Sequence, residues 1–264
     1  MRIMHCMKQA FSLVELSIVL VILGLLTGGI LGGQSLIRAA ELRSVGTEYS
    51  RFLTASLTFR DKYFALPGDM NNATAFWGAA DSGDGIGADC TAVASTGPAT
   101  CNGDGDGTPN SGTSNERFRF WQHLANAGLL EGTYTGTAGA GGAEHHVPGS
   151  NAPRSKISSA GWSADSNRLG FAGDAYLWSF PAGRYVFFKV GGATTTTETY
   201  GRTFKPEEVW NLDVKLDDAK PGQGRLWTRF WDECTLAANN AGTAADYDLT
   251  NASRDCAIYF NAPL

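Results

Sequence analysis

The chain has 264 residues, room for a membrane segment plus one globular domain of ordinary size, or for one domain with long insertions. Its 21 basic residues stand against 26 acidic ones, a formal charge of −5, so composition gives no support for a nucleic-acid-binding surface. Its 33 glycines, concentrated between residues 78 and 150, with plentiful threonine and asparagine, predict a loop-rich extracellular domain.

Residues 1–10, MRIMHCMKQA, carry Arg2 and Lys8 and no acid, and an apolar run from Phe11 through Leu31 follows. This asymmetry keeps the N-terminus in the cytoplasm and sends the rest of the chain across the membrane. Glu15 interrupts the run. A carboxylate at that depth costs about 2.5–3.5 kcal/mol or more, so it requires a partner. A secretory signal would be cut after its apolar region, whereas the more persuasive boundary here precedes it, between Ala10 and Phe11.

The stretch KQAFSLVELSIVLVILGLL resembles the prepilin signal of type IV pilins and of the pseudopilins of type II secretion: a basic leader, a small residue, then Phe, Ser, an aliphatic pair, Glu and a long apolar helix. The resemblance implies cleavage by a prepilin peptidase between Ala10 and Phe11, with methylation of the new Phe11 amino group. Ala10 departs from the glycine usual in the family, a departure that slows processing. It further implies that Glu15 neutralises the N-terminus of a neighbouring subunit during filament assembly. Each charge alone is expensive in low dielectric, and only the pair is favourable. The partners implied are further copies of the chain as a helical homopolymer, the prepilin peptidase and an inner-membrane assembly platform. The plain alternative is a signal-anchor helix that tolerates one acid near its end.

Gly24, Gly28, Gly29, Gly32 and Gly33 repeat at four-residue spacing, which permits close helix approach and weakens the helix by roughly 1 kcal/mol per glycine relative to alanine. The proline common there in the family is absent, so this cluster is the candidate for any melted stretch. From Ser35 the pattern turns amphipathic, with Leu36, Leu42, Val45, Tyr49, Phe52, Leu53, Phe59 and Tyr63 at roughly helical spacing. Pro67 and Gly68 place the helix end near Ala65. The expected organisation is a leader over 1–10, a transmembrane and assembly helix over 11–34, and a globular head over 35–264 that includes the C-terminal half of the helix.

A poorly patterned region follows, and then NERFRFWQHLANAGLL, where Asn115 caps a helix with Phe118, Trp121, Leu124 and Leu129 as its inward stripe. RLGFAGDAYLWSF and RYVFFKV within residues 168–190 read as two strands, KPEEVWNLDVKLDD as a helix at its start, and RLWTRFW and CAIYF as late strands. The fold class is α+β: a long N-terminal helix packed on a small antiparallel sheet, pilin-like, with a long loop insertion. YFALPGDMNNATAFWG, FWQHLANAGLLEG and LDVKLDDAKPGQG extend the resemblance to a bacterial pilin-like group with a large loop before the sheet.

Five cysteines become four once residues 1–10 with Cys6 are removed. Of the three possible connectivities, proximity ranks Cys90 with Cys101 and Cys234 with Cys256 first, and translocation favours their oxidation. Neither pair has CxxC spacing. In CNGDGDGTPNSGTSNE, Asn102, Asp104 and Asp106 followed by Gly107 match the opening of a calcium loop. The twelfth position is Thr113, so Glu116, three residues later, is the candidate closing acid. Asp81, Asp84 and Asp89 are possible additions, and a solvated Asp-Gly turn is the competing reading. Glu144, His145 and His146 lie in a glycine-rich setting that favours an exposed loop over a metal site. Asp213, Asp217 and Asp218 have no nucleophile or histidine nearby and read as a structural turn. Trp121, Trp178, Trp210, Trp227 and Trp231 sit in apolar runs and read as core.

HExxH and GxSxG are absent, and the chain is expected not to be an enzyme. The expected function is a structural subunit of a type IV pilus-like filament. The alternatives are a type II secretion pseudopilin, or a minor pilin or adhesin anchored in the membrane. The location follows as a single-pass inner-membrane protein before assembly, and an extracellular filament or periplasmic pseudopilus after it.

Overall fold

The computed structural model describes residues 12–80, 97–109, 115–167, 176–179 and 185–264. It separates into two compact units, Met1–Glu41 and Leu42–Leu264. Helix α1, Leu13–Tyr63, supplies the described part of the first unit and opens the second.

In the first unit α1 is long and apolar enough to cross a bilayer. Its large apolar side chains from Leu13 to Leu31 are between 50 and 86% exposed, so nothing inside this unit buries them. The helix runs unbroken through Gly24–Gly33, where an added Cβ would meet no atom within 4 Å at any of the five glycines.

In the second unit α1 changes character. Val45, Tyr49, Phe52, Ser56 and Phe59 are buried at i, i+4, i+7 spacing, the stripe expected of a helix lying on a core. Phe64 adopts a left-handed backbone, φ 54°, and ends the helix just before Pro67. The short helix α2, Ala73–Trp77, and α3, Glu116–Asn126, follow. Asn115 does sit at the N-cap of α3, but its backbone is left-handed, φ 55°, and its side chain makes no capping bond. Asparagine is one of the few residues that tolerate that conformation.

Four strands form one antiparallel sheet in the order β1-β2-β4-β3: β1 Ala160–Asn167, β2 Tyr185–Gly192, β3 Leu226–Arg229 and β4 Ala257–Ala262. Trp162 faces Val190, Phe188 faces Phe260 and Trp227 faces Tyr259. Strand alternation sends Val186, Phe188, Val190, Ile258 and Phe260 to the main core. Phe187, Trp227 and Tyr259 go to a second cluster with Leu177 and Trp178. Tyr49 of α1 stacks on Phe260 at 4.3 Å between ring centroids, and Phe52 meets Trp121 and Trp162 edge-on at 5.1 and 5.2 Å.

Two expectations need correction. The first strand of the sheet is β1, from AGWSADSN, whose period-two apolar positions, Ala160, Trp162 and Ala164, enter the main core but include only one large side chain. The strand expected across 168–180 falls largely outside the described residues, and Tyr176–Ser179 within it is turn and irregular chain. Helix α4, Pro206–Leu216, forms as expected, with Pro206 at its start and the Glu208 carboxylate accepting the Lys205 N–H at 3.0 Å. A four-residue helix α5, Trp231–Cys234, precedes the disulfide. Trp121, Trp178 and Trp227 are buried, and Trp210 and Trp231 pack partly buried against the two clusters.

Candidate functional site

Ala10 and Phe11 lie outside the described residues. Glu15 has a partner within its own chain. Its Oε2 accepts the Ser12 N–H at 2.9 Å, and Ser12 Oγ accepts the Val14 N–H at 3.3 Å. Ser12-Leu13-Val14-Glu15 has the S-x-x-E spacing of a capping box and forms its Glu15-to-Ser12 half, while the Ser12 hydroxyl caps the N–H of Val14 rather than that of Glu15. The S-x-x-E spacing is the sequence signal for this contact.

The acidic loop is assembled against the turn after α1. Gly68 has φ +82°, and a Cβ there would lie 2.3 Å from the Glu116 carbonyl oxygen; a Cβ on Gly103 would lie 2.4 Å from Gly68 O. Only glycine allows the PGD turn, residues 101–108 and the first turn of α3 to meet this closely. The Gly103 and Gly105 N–H groups donate to the Met70 and Asp69 carbonyls at 2.9 and 3.1 Å. The Asp104 N–H donates to Glu116 Oε1 at 2.8 Å, and the Gly107 N–H to Asp69 Oδ2 at 3.0 Å.

These contacts bring together Asp69, Asp104 and Glu116, each with a carboxylate oxygen within 4.8 Å of the others. Two of the four expected ligands, Asp104 and Glu116, are in this group. Asp106 is not, its Oδ1 accepting the Thr108 N–H and hydroxyl at 2.9 and 2.6 Å; Asn102 Oδ1 accepts the Thr74 N–H at 2.9 Å. Asp81, Asp84, Asp89 and Thr113 lie outside the described residues. Asp69 joins the group without a sequence expectation behind it; its place after Pro67-Gly68 is the available signal. Burial, reinforced by Asp106 and Asp104, pushes its carboxyl up to about 6.

Cys234 and Cys256 are joined, with Cα atoms 5.4 Å apart. Cys101 is buried and disulfide-bonded, and its expected partner Cys90 lies outside the described residues. The EHH segment is less exposed than its composition suggested. His146 is fully buried, with Nδ1 2.9 Å from the Glu144 carbonyl, and burial pushes the imidazole down to about 3. Glu144 reaches Arg117 at 3.7 Å. Asp213, Asp217 and Asp218 also cluster. Asp213 accepts the Tyr247 hydroxyl at 2.7 Å, Asp217 accepts the Arg225 N–H and Asp218 the Lys220 N–H, which together hold a turn.

Helix α3 carries a feature that its apolar stripe did not reveal: Glu116, Arg117, Arg119, Gln122 and His123 are buried with it. His123 Nδ1 accepts the Gly68 N–H at 3.0 Å, and burial followed by the Arg119 charge pushes the ring down to about 3, so it is neutral. Arg117 pairs with Glu198 at 2.6 Å and with Asp165 at 3.4 Å. Lys189 pairs with Asp165 at 2.7 Å and with Glu198, and lies over the Tyr259 ring. The result is a buried cluster of two cations and two anions behind the sheet.

No protein-family model, curated protein or solved structure matches the chain. What the fold defines is an α+β protein with a long apolar N-terminal helix and a small four-stranded antiparallel sheet.

Proposed function

We propose that this chain is a structural subunit of a type IV pilus-like filament, cut between Ala10 and Phe11 and polymerised through the N-terminal half of α1. The observation that carries this reading is the joint occurrence of a basic leader, the Ala10-Phe11 boundary and Glu15 at the head of a continuous helix. That helix leaves its apolar side chains exposed in a single chain. Such a surface must be covered, by lipid before assembly and by neighbouring helices after it. A pseudopilin or a membrane-anchored minor pilin or adhesin uses the same anchor, and the abundance of the chain in filaments separates these roles.

The test is mass spectrometry of the membrane-extracted protein together with electron microscopy of sheared surface filaments. A mature N-terminus at Phe11, N-methylated, and filaments built mainly from this chain are expected. A mature protein that starts at Met1, or beyond Gly33, refutes the reading.

A further inference from the structure

We propose that Asp69, Asp104 and Glu116 form a calcium site that ties the turn after α1 to the acidic loop and to the start of α3. This rests on the head alone and is independent of the filament reading. Calcium binds oxygen ligands at about 2.3–2.6 Å, so oxygens that share one ion lie at most about 5 Å apart. The three carboxylates meet that limit, with oxygens within 4.8 Å of one another.

An independent observation concerns Asp69. Its side chain is 4% exposed, and while Oδ2 receives the Gly107 N–H, Oδ1 has no hydrogen-bond partner among the described residues. A buried carboxylate oxygen left unpartnered is costly, and a cation is the partner that the neighbouring acids select. Each of the three carboxylates also accepts a backbone N–H, Asp69 from Gly107, Glu116 from Asp104 and Asp104 from Asp106, while the Gly103 and Gly105 N–H groups fix the loop against the carbonyls of residues 70 and 69.

The chemistry of the donor set favours a hard ion. All three side chains offer oxygen and no sulfur or imidazole belongs to the group, which argues against zinc and copper. The ligands come from an irregular loop, a turn and a helix start, a setting better matched to calcium's variable coordination than to the octahedron magnesium demands. Of the three acids, Asp69 also lines a pocket of about 290 Å³, with Arg60, Phe64, Asn71 and Gly107. The trio Asp213, Asp217 and Asp218 is the rival location. Its Asp213 Oδ1 is likewise buried without a partner among the described residues, but the three acids come from one six-residue stretch, so a cation there would join no separate segments of the chain.

The experiment is calcium titration of the full chain in detergent after chelator treatment, followed by calorimetry and by thermal unfolding. Wild type is expected to bind calcium and to melt at a higher temperature as calcium rises, because a ligand that binds only the native state stabilises it. Asp104→Asn, at an exposed side chain that leaves the fold intact, and Asp69→Asn, which still accepts the Gly107 N–H, should each weaken binding at least tenfold. Asp217→Asn should bind as wild type does. Wild type that neither binds calcium nor shifts in melting temperature overturns the proposal. So does binding that survives both loop variants and disappears in Asp217→Asn, or magnesium binding as tight as calcium.

Discussion

Lys189→Met removes one cation from the buried cluster and leaves Asp165 and Glu198 to share Arg117, which also meets the exposed Glu144. Lys189 and Glu198 side chains are about 5% exposed or less, so solvent cannot step in. Breaking a buried pair by deleting one partner costs about 3–5 kcal/mol, since the remaining charge keeps its desolvation penalty without its compensation. For the second unit, roughly 220 residues, about 2–4 °C of melting temperature accompanies each kcal/mol. A drop of roughly 6–20 °C in thermal unfolding followed by circular dichroism is therefore expected.

Glu198→Gln should lower stability comparably, while Lys189→Met/Glu198→Gln restores one cation to one anion, Arg117 with Asp165. The double variant should be more stable than the sum of the single losses by at least about 1 kcal/mol, within the coupling measured for neighbours in one network. Acid supplies a second reading. Burial alone would raise Glu198, but Lys189 and Arg117 outweigh it and hold the carboxyl below its ordinary value. A depressed folded value gives stability that is fully present above the unfolded value, about 4.3, and is lost as pH falls through the folded value. Glu198→Gln should therefore lose this part of the acid sensitivity. Single losses below 1 kcal/mol that add without coupling would refute the account of the cluster as one electrostatic unit.

Other contacts yield simpler tests. Glu48 of α1 accepts the Trp162 indole N–H at 2.6 Å, the Ser155 hydroxyl at 2.9 Å and the Lys156 N–H at 2.8 Å; Glu48→Ala should cost at least about 1.5–3 kcal/mol, the range for one hydrogen bond to a charged group, measured by denaturant unfolding. The Cys234–Cys256 bridge spans 22 residues, so Cys234→Ala/Cys256→Ala should cost about 3 kcal/mol by loop-closure entropy. An unchanged denaturation midpoint in either variant would show that the contact is not stabilising.

The second half of α1 was legible because Val45, Tyr49, Phe52 and Phe59 repeat at the helical period, and β2 and β4 because FFKV and AIYF are β-branched and aromatic. Strand β1 was not. GWSADSN has one large apolar residue, and its place is fixed by pairing with β2 and by Glu48 reaching Trp162, contacts about 20 to 110 residues apart. The polar face of α3 failed for the same reason: Arg117 reads as solvated until Glu198 arrives from 81 residues later. Of the acidic loop, Asp104 and Glu116 were legible from spacing, whereas Asp69 is placed by the close backbone approach at Gly68 and Gly103, which no motif encodes.

Glu15 presents a decision between two energies. Its contact with Ser12 accounts for about 0.5–2 kcal/mol, the usual worth of an N-cap, against about 2.5–3.5 kcal/mol for an acid at the centre of a membrane helix, whereas Glu15 is the third residue of α1. Whatever cost the cap leaves is what a neighbour's Phe11 ammonium would offset. Two variants separate these contributions. Glu15→Gln retains the acceptor that meets the Ser12 N–H and loses the charge; Glu15→Val loses both and makes the helix more apolar. If charge pairing drives assembly, both variants insert in the membrane and both produce few or no filaments. Normal filament number and length from Glu15→Gln, with the variant confirmed inside the filaments by mass spectrometry, would show that Glu15 serves the helix start and not its neighbour. Normal filaments from Glu15→Val as well would leave neither contact needed for assembly.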